Sequence, residues 1–199
     1  MGKLVYGFGV NDNKHQANKD GKSVKEYKIY CDMLRRCTYK YQQKKAAYIG
    51  VSCSDNFKSY SYFYEWCNKQ VGFNSKDSKD MDWQLDKDIL IKGNKVYSED
   101  ACVFVPRRIN TLLTNRNASR GDWPIGVRRQ SRDSRFNARC NNGTGKSRHL
   151  GYFDTPQEAF QAYKTFKEAL IKEVANEYKE QLDPRVYDVL MRYEVNADD

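Results

Sequence analysis

The stretch WPIGVRRQSRDSRFNARCNNGTGKSRHLGYFDTPQEAFQAY, Trp123–Tyr163, decides the fold. Its first part holds three short runs of alternating bulky and polar residues, IGVRRQSR, RFNARC and RHLGYFD, separated by the turn chemistry of DS and NNGTGKS. Alternation with a period of two marks strands that bury one face. The last part changes period. Thr155 stands at an N-cap, Pro156 at the first helical position, and Glu158 completes a capping box. Beyond it, Ala159, Tyr163, Phe166, Leu170, Val174 and Tyr178 recur at helical spacing. These residues describe a three-stranded antiparallel sheet packed on one amphipathic helix. In that sheet Val127, Phe136 and Ala138 can face the helix. Arg129, Arg135 and Arg139, with Gln130 and Asn137, are then candidates for the outer face or its turns.

Charge gathers on the same stretch. Between Arg107 and Arg148 stand ten Arg and one Lys against two acids, Asp122 and Asp133, and this segment carries the whole net charge of +9. A local excess argues for one anionic partner at one place. The preference for Arg suits bidentate contacts to phosphate and guanine. A purely solvated basic face is the bland alternative, and it would more often mix in acids. The GTGKS within the turn is no phosphate-binding loop, because position 140, where that motif needs Gly, is Cys140, and the segment joins two strands.

Working outward, the polar run TNRNASRGDW has linker composition, so a boundary is expected at 114–122. Residues 1–23, rich in Gly, Asn and Lys, are expected as a flexible arm. In 24–113, Val24, Tyr27, Cys31 and Leu34 share one helical face, as do Phe57, Tyr60, Phe63, Tyr64 and Cys67. AAYIGVSCSD and ACVFV have strand composition, and a short helix PRVYDVLMRYEV follows Pro184 within 183–199. With 15 Tyr, 9 Phe and a mean hydropathy of −0.91, small aromatic cores are expected rather than one large aliphatic one. Without a signal peptide the six cysteines are expected as reduced thiols; a structural zinc is the minor alternative, since there is no C-x-x-C pair and the only histidines are His15 and His149. No apolar run approaches the roughly 20 residues of a membrane span and no signal-peptide pattern opens the chain. A cytoplasmic protein is expected.

The segment Trp123–Tyr163 closely resembles the APETALA2-type DNA-binding domain found in plants and in phage nucleases, through its PIGV, F-N-A, HLGYF and EAFQAY blocks. The resemblance covers 123–182. It implies major-groove recognition by the sheet through Arg128, Arg129, Arg132, Arg135, Asn137 and Arg139, with Lys146 and Arg148 at phosphates or further along the groove. The front segments YCDMLRRC, YIGVSC, FKSYSYFYEW and LDKDILIKGNKVYSEDACVFVPRRIN resemble phage HNH-type homing endonucleases that carry the same domain. That implies a ββα-metal front domain, in which a histidine activates water and a divalent cation is bound.

Here LDKD puts Asp86 or Lys87 where that histidine is expected, Ser98 lies near the usual asparagine, and Asn110 is kept. The expected fold is therefore α+β, a degenerate HNH-like front joined to a sheet-plus-helix. The expected function is site-specific binding of double-stranded DNA, as a homing-type endonuclease. There Asp86 and Asp88 would hold Mg²⁺, Lys87 would stabilise charge, and Asn110 would complete the site. Two alternatives stay open: an inactive descendant acting as a transcriptional repressor, and an interaction protein that inhibits a host factor. A homo-oligomer is compatible with either. No membrane, small-molecule substrate or further cofactor is expected.

Overall fold

The computed structural model describes residues 4–114, 122–131 and 133–199, so Arg132 and most of the expected linker lie outside the described residues. The fold is α+β. The chain divides into two compact units, Met1–Val105 and Pro106–Asp199.

In the first unit a hairpin of β1 (Asn18–Lys19) and β2 (Lys22–Ser23) leads into α1 (Lys25–Arg36) and the single turn α2 (Tyr39–Gln42). The strand β3 (Ser52–Cys53) and helix α3 (Tyr60–Asn68) follow, then β4 (Gln84–Asp86), β5 (Val96–Tyr97) and β6 (Val103–Val105). β3 pairs in parallel with β5, and β4 antiparallel with β6. These strands are too short to make a core, and aromatic rings supply one. Tyr30, Phe57, Tyr60, Phe63, Phe73 and Phe104 are all at most 1% exposed. Phe57 meets Trp66 at 4.7 Å and Phe73 meets Phe104 at 5.3 Å between ring centroids. The α1 face is as expected for Leu34, but its buried members are Tyr30, Met33 and Leu34, with Val24 serving as N-cap.

The expected flexible arm is instead tied down in residues 10–16. Val10 bridges to Ser59, the Val10 carbonyl accepts from the Tyr60 amide at 2.8 Å, and the Tyr60 hydroxyl donates to the Gln16 carbonyl at 3.0 Å. The Ser61 hydroxyl also donates to Asp12. Composition predicted a coil. The residues that anchor it lie 44 to 50 positions further along the chain.

The second unit begins with α4 (Arg107–Leu113) and continues through β7 (Val127–Arg129), β8 (Phe136–Asn141), β9 (Ser147–Phe153), α5 (Pro156–Glu177) and α6 (Pro184–Met191). The division falls before α4, whereas linker composition pointed to 114–122. Packing explains the difference, because Gly143 of the β8–β9 turn (φ +81°) sits against Leu112 and Arg108, and Arg108 pairs with Glu177 of α5. The antiparallel sheet runs β7-β8-β9. Val127, Phe136, Ala138 and Ala159 are buried together under Trp123, Leu150, Phe153 and Phe160. The capping box is present: the Thr155 hydroxyl accepts from the Glu158 amide and the Glu158 carboxylate from the Thr155 amide, both at 3.2 Å. The C-terminal tail returns to the sheet, where the Ile125 amide donates to the Ala197 carbonyl at 2.9 Å.

Candidate nucleic-acid interface

Strand parity sorts the basic side chains. β7 begins with the buried Val127, so Arg128 points away from the helix, while Arg129, paired with the buried Phe136, has inward parity and is exposed only because the strand ends there. Arg128 pairs with Asn137, and Asn137 with Tyr152, giving one outward row across all three strands. A second row pairs Arg139 with His149, whose ring lies 4.7 Å from Tyr152. Between the rows the register shifts at Ala138/Arg139, where Leu150 is the extra residue and drops back toward the core. The outward face is thus Arg128, Asn137, Tyr152, Arg139 and His149. Two inter-strand steps span about 10 Å, which suits a major groove about 12 Å wide.

The other expected contacts separate. Arg135 lies at the rim, its guanidinium 5.4 Å from the centre of the Tyr152 ring and clamped by Asp133 at 2.8 Å (Nε) and 2.5 Å (Nη2). That pair holds the Asp133 carboxyl below its ordinary range. Lys146 is exposed in the β8–β9 turn. Arg148, expected toward the groove, shares the inward parity of Cys140 and lies 5.1 Å from the centre of the Phe166 ring on α5. It belongs to the opposite side of the sheet. Tyr152 was missed in the sequence, although the alternation in HLGYFD that turns Phe153 to the core turns Tyr152 outward, and that was the available signal.

The carboxylates of the front unit form a turn. Asp86 Oδ1 accepts from the amides of Asp88 (2.8 Å) and Ile89 (2.9 Å), an Asx turn. Lys87 is buried, at 7% exposure, with its ammonium 3.1 Å from Asp88 Oδ2 and 5.8 Å from the Tyr97 ring centre. Asn94 completes the turn, donating to the carbonyls of Lys87 (2.6 Å) and Val96 (2.7 Å). Burial first, and the neighbouring Asp88 carboxylate second, raise Asp86 to about 7.

These groups do not fit a magnesium ion. One Asp86 oxygen is occupied by two amides, the carboxyl is partly protonated near neutrality, and a lysine ammonium already neutralises Asp88. No cluster of three or more His, Cys, Asp or Glu able to hold a metal occurs among the described residues. Asn110 lies on α4 in the other unit. His15 stacks on Tyr64 at 4.0 Å, with Glu65 at 3.4 Å from its ring. Among the described residues no helix is long and apolar enough to cross a membrane. Comparison of the chain with family models, with curated proteins and with solved structures gave no match.

Proposed function

We propose that this chain binds double-stranded DNA site-specifically, laying the outer face of β7–β9 in the major groove, and that it acts by occupancy rather than by cutting. The observation that carries this is the Arg128–Asn137–Tyr152 row. It sets Arg128, a side chain of the guanine-reading type, beside Asn137 and the flat Tyr152 ring on one face, with Arg128 and Asn137 inside the Arg107–Arg148 segment that holds the chain's excess positive charge. On this reading the sheet and α5 make an APETALA2-type domain, the front unit is an HNH-like fold without its chemistry, and the biological role is that of a repressor. The Asx turn at Asp86 supports binding without cleavage, since both carboxylates there already serve the fold.

The test is incubation with long duplex DNA from phage genomes, with Mg²⁺ or with EDTA, followed by footprinting and end mapping. A protected site without breaks is the expected result. Metal-dependent breaks at a fixed site, lost in Asp86→Ala or Asp88→Ala, would restore the endonuclease reading. No protection anywhere, at low salt, would remove the DNA assignment.

A further inference from the structure

On the side of the sheet that packs against α5, the rear unit holds a cavity of about 310 Å³ between the β8–β9 turn, α4 and α5. Three cationic side chains line it: Arg108, Lys146 and Arg148. Each is placed by the fold. Arg148 shares the inward parity of the buried Cys140, its partner in register, and its guanidinium lies 5.1 Å from the centre of the Phe166 ring. Lys146 closes the turn, its carbonyl accepting from the Asn142 amide at 3.0 Å. Arg108 is pinned at one end by Glu177, and its backbone carbonyl packs where Gly143 has no side chain. Its side chain is 24% exposed, and its buried Nε meets no acceptor among the described residues. Asn142 also lines the cavity. Because its Oδ1 already accepts from the amide (3.0 Å) and hydroxyl (2.8 Å) of Thr144, what it offers there is the Nδ2 donor. Phe166 and Leu170 supply an apolar floor, and Glu173 is the one carboxylate of the lining.

We propose that this cavity binds a small phosphomonoester. The phosphate is held by Arg108, Lys146 and Arg148, and the body of the ligand lies on Phe166 and Leu170. Three cations against one carboxylate call for an anion of more than single charge. A phosphomonoester carries a charge of about −1.5 to −2 near neutrality and has three acceptor oxygens to share among three cations. A diester, as in a DNA backbone, offers fewer oxygens and about half that charge. The volume lies at the small end of ligand sites, roughly 300–1,000 Å³, and suits a phosphate with one ring. Glu173 opposes a second anionic group on the same ligand. The site does not depend on the outward row of the sheet, since Arg148 and the α5 residues belong to the opposite face.

The test is isothermal titration of the full-length protein with phenyl phosphate and with dimethyl phosphate, at a pH above about 6, where the monoester is a dianion. One phenyl phosphate per chain is expected, bound about tenfold or more tightly than dimethyl phosphate. Lys146→Ala and Arg148→Ala should each weaken it about tenfold, as expected for loss of a charged hydrogen-bond donor. Both side chains are exposed, and circular dichroism reports whether the variants keep their fold. Glu173→Gln should tighten binding, a gain that a misfolded variant cannot show. Excess duplex DNA should leave the bound ester in place. No saturable binding, equal binding of the two esters, affinity unmoved in the Lys146→Ala, Arg148→Ala double variant, or displacement by duplex DNA would overturn the proposal.

Discussion

In the front unit most regular elements run to two, three or four residues, and rings of Tyr30, Phe57, Tyr60, Phe63 and Trp66 fill the space between α1 and α3. The rear unit instead has a six-residue and a seven-residue strand lying on a 22-residue helix. The front unit buries Lys87 of its charged turn, with Asp86 half-buried and Asp88 exposed, whereas the rear unit leaves Arg128 and Arg139 exposed. Neither guanidinium has an ion pair among the described residues, and exposed groups of that kind suit an anion. A turn in which the Asp86 carboxylate accepts two backbone amides and Asp88 a lysine ammonium is already complete. The same chain thus leaves one basic surface exposed and consumes one acidic stretch in its own fold.

The largest effects should come from the two glycines on which each unit closes. Gly126 (φ +77°) faces the Tyr163 ring, and an added Cβ would lie 2.1 Å from it. Gly72 (φ +84°) faces Trp83, 2.5 Å from an added Cβ, and the Phe104 carbonyl at 2.9 Å. Gly126→Ala and Gly72→Ala should each cost about 3 kcal/mol or more, from left-handed backbone strain plus overpacking. Urea titration followed through Trp123 and, separately, through Trp66 and Trp83 should show each substitution moving its own unit's transition. If both transitions move together in either variant, the two units unfold as one and the contrast between them loses its thermodynamic meaning.

Adjacent arginines of opposite parity sharpen the surface side of the comparison. Arg128→Ala should weaken specific DNA binding by about 1–3 kcal/mol and relax preference at one base position. Arg129→Ala should weaken binding to all sequences alike and mainly lower the salt dependence. Equilibrium binding to specific and scrambled duplexes at several salt concentrations separates the two. Equal loss of specificity in both variants would mean that the outward row is not what reads the bases.

What the sequence made legible divides along the same line. Thr155, Pro156, Glu158 and the stripe from Ala159 to Val174 speak through local periodicity and capping, and the structure keeps them. Parity was legible at Val127, but choosing between Arg128 and Arg129 needed the strand's end, and the bulge at Leu150 left no composition signal. Lys167 is buried on α5 despite its charge, a cost that helical spacing alone conceals, and that burial lowers its pKa. In the front unit the links are long-range. AAYIGVSCSD reads as a strand, yet only Ser52–Cys53 pairs, because the Gln42 side chain rather than a ladder holds residues 50 and 51.

Asp86 gives the comparison a pH signature. Its folded pKa of about 7 exceeds the unfolded value near 4, so the folded state binds its proton more tightly. The stabilisation is complete below about pH 4 and is lost as pH rises toward 7. Asp86→Asn keeps an oxygen for the Asx turn and removes the titration. It should abolish the slope across that window, and be the more stable protein above pH 7. Thermal melts from pH 4 to 8 check this. Added Mg²⁺ should leave the melting temperature of the unsubstituted protein unchanged at pH 8, and a clear rise that Asp86→Asn loses would instead make the turn a metal site.

The smallest effect tests whether regular structure or ring packing holds the helices. Thr155 caps α5 through a reciprocal pair of bonds at 3.2 Å, while Ser59 caps α3 through one longer contact to the Tyr62 amide at 3.4 Å. Thr155→Ala should cost the rear unit about 1 kcal/mol, with Glu158→Ala adding less on top because the two bonds form one box. Ser59→Ala should cost the front unit less, about 0.5 kcal/mol, because Phe57, Tyr60 and Phe63 already fix the start of α3 from within the core. The Ser59 backbone, which faces Val10, is untouched by that change. If Ser59→Ala proves as costly as Thr155→Ala, the front unit depends on its caps as the rear unit does, and the rings fill its core without setting where its helices begin.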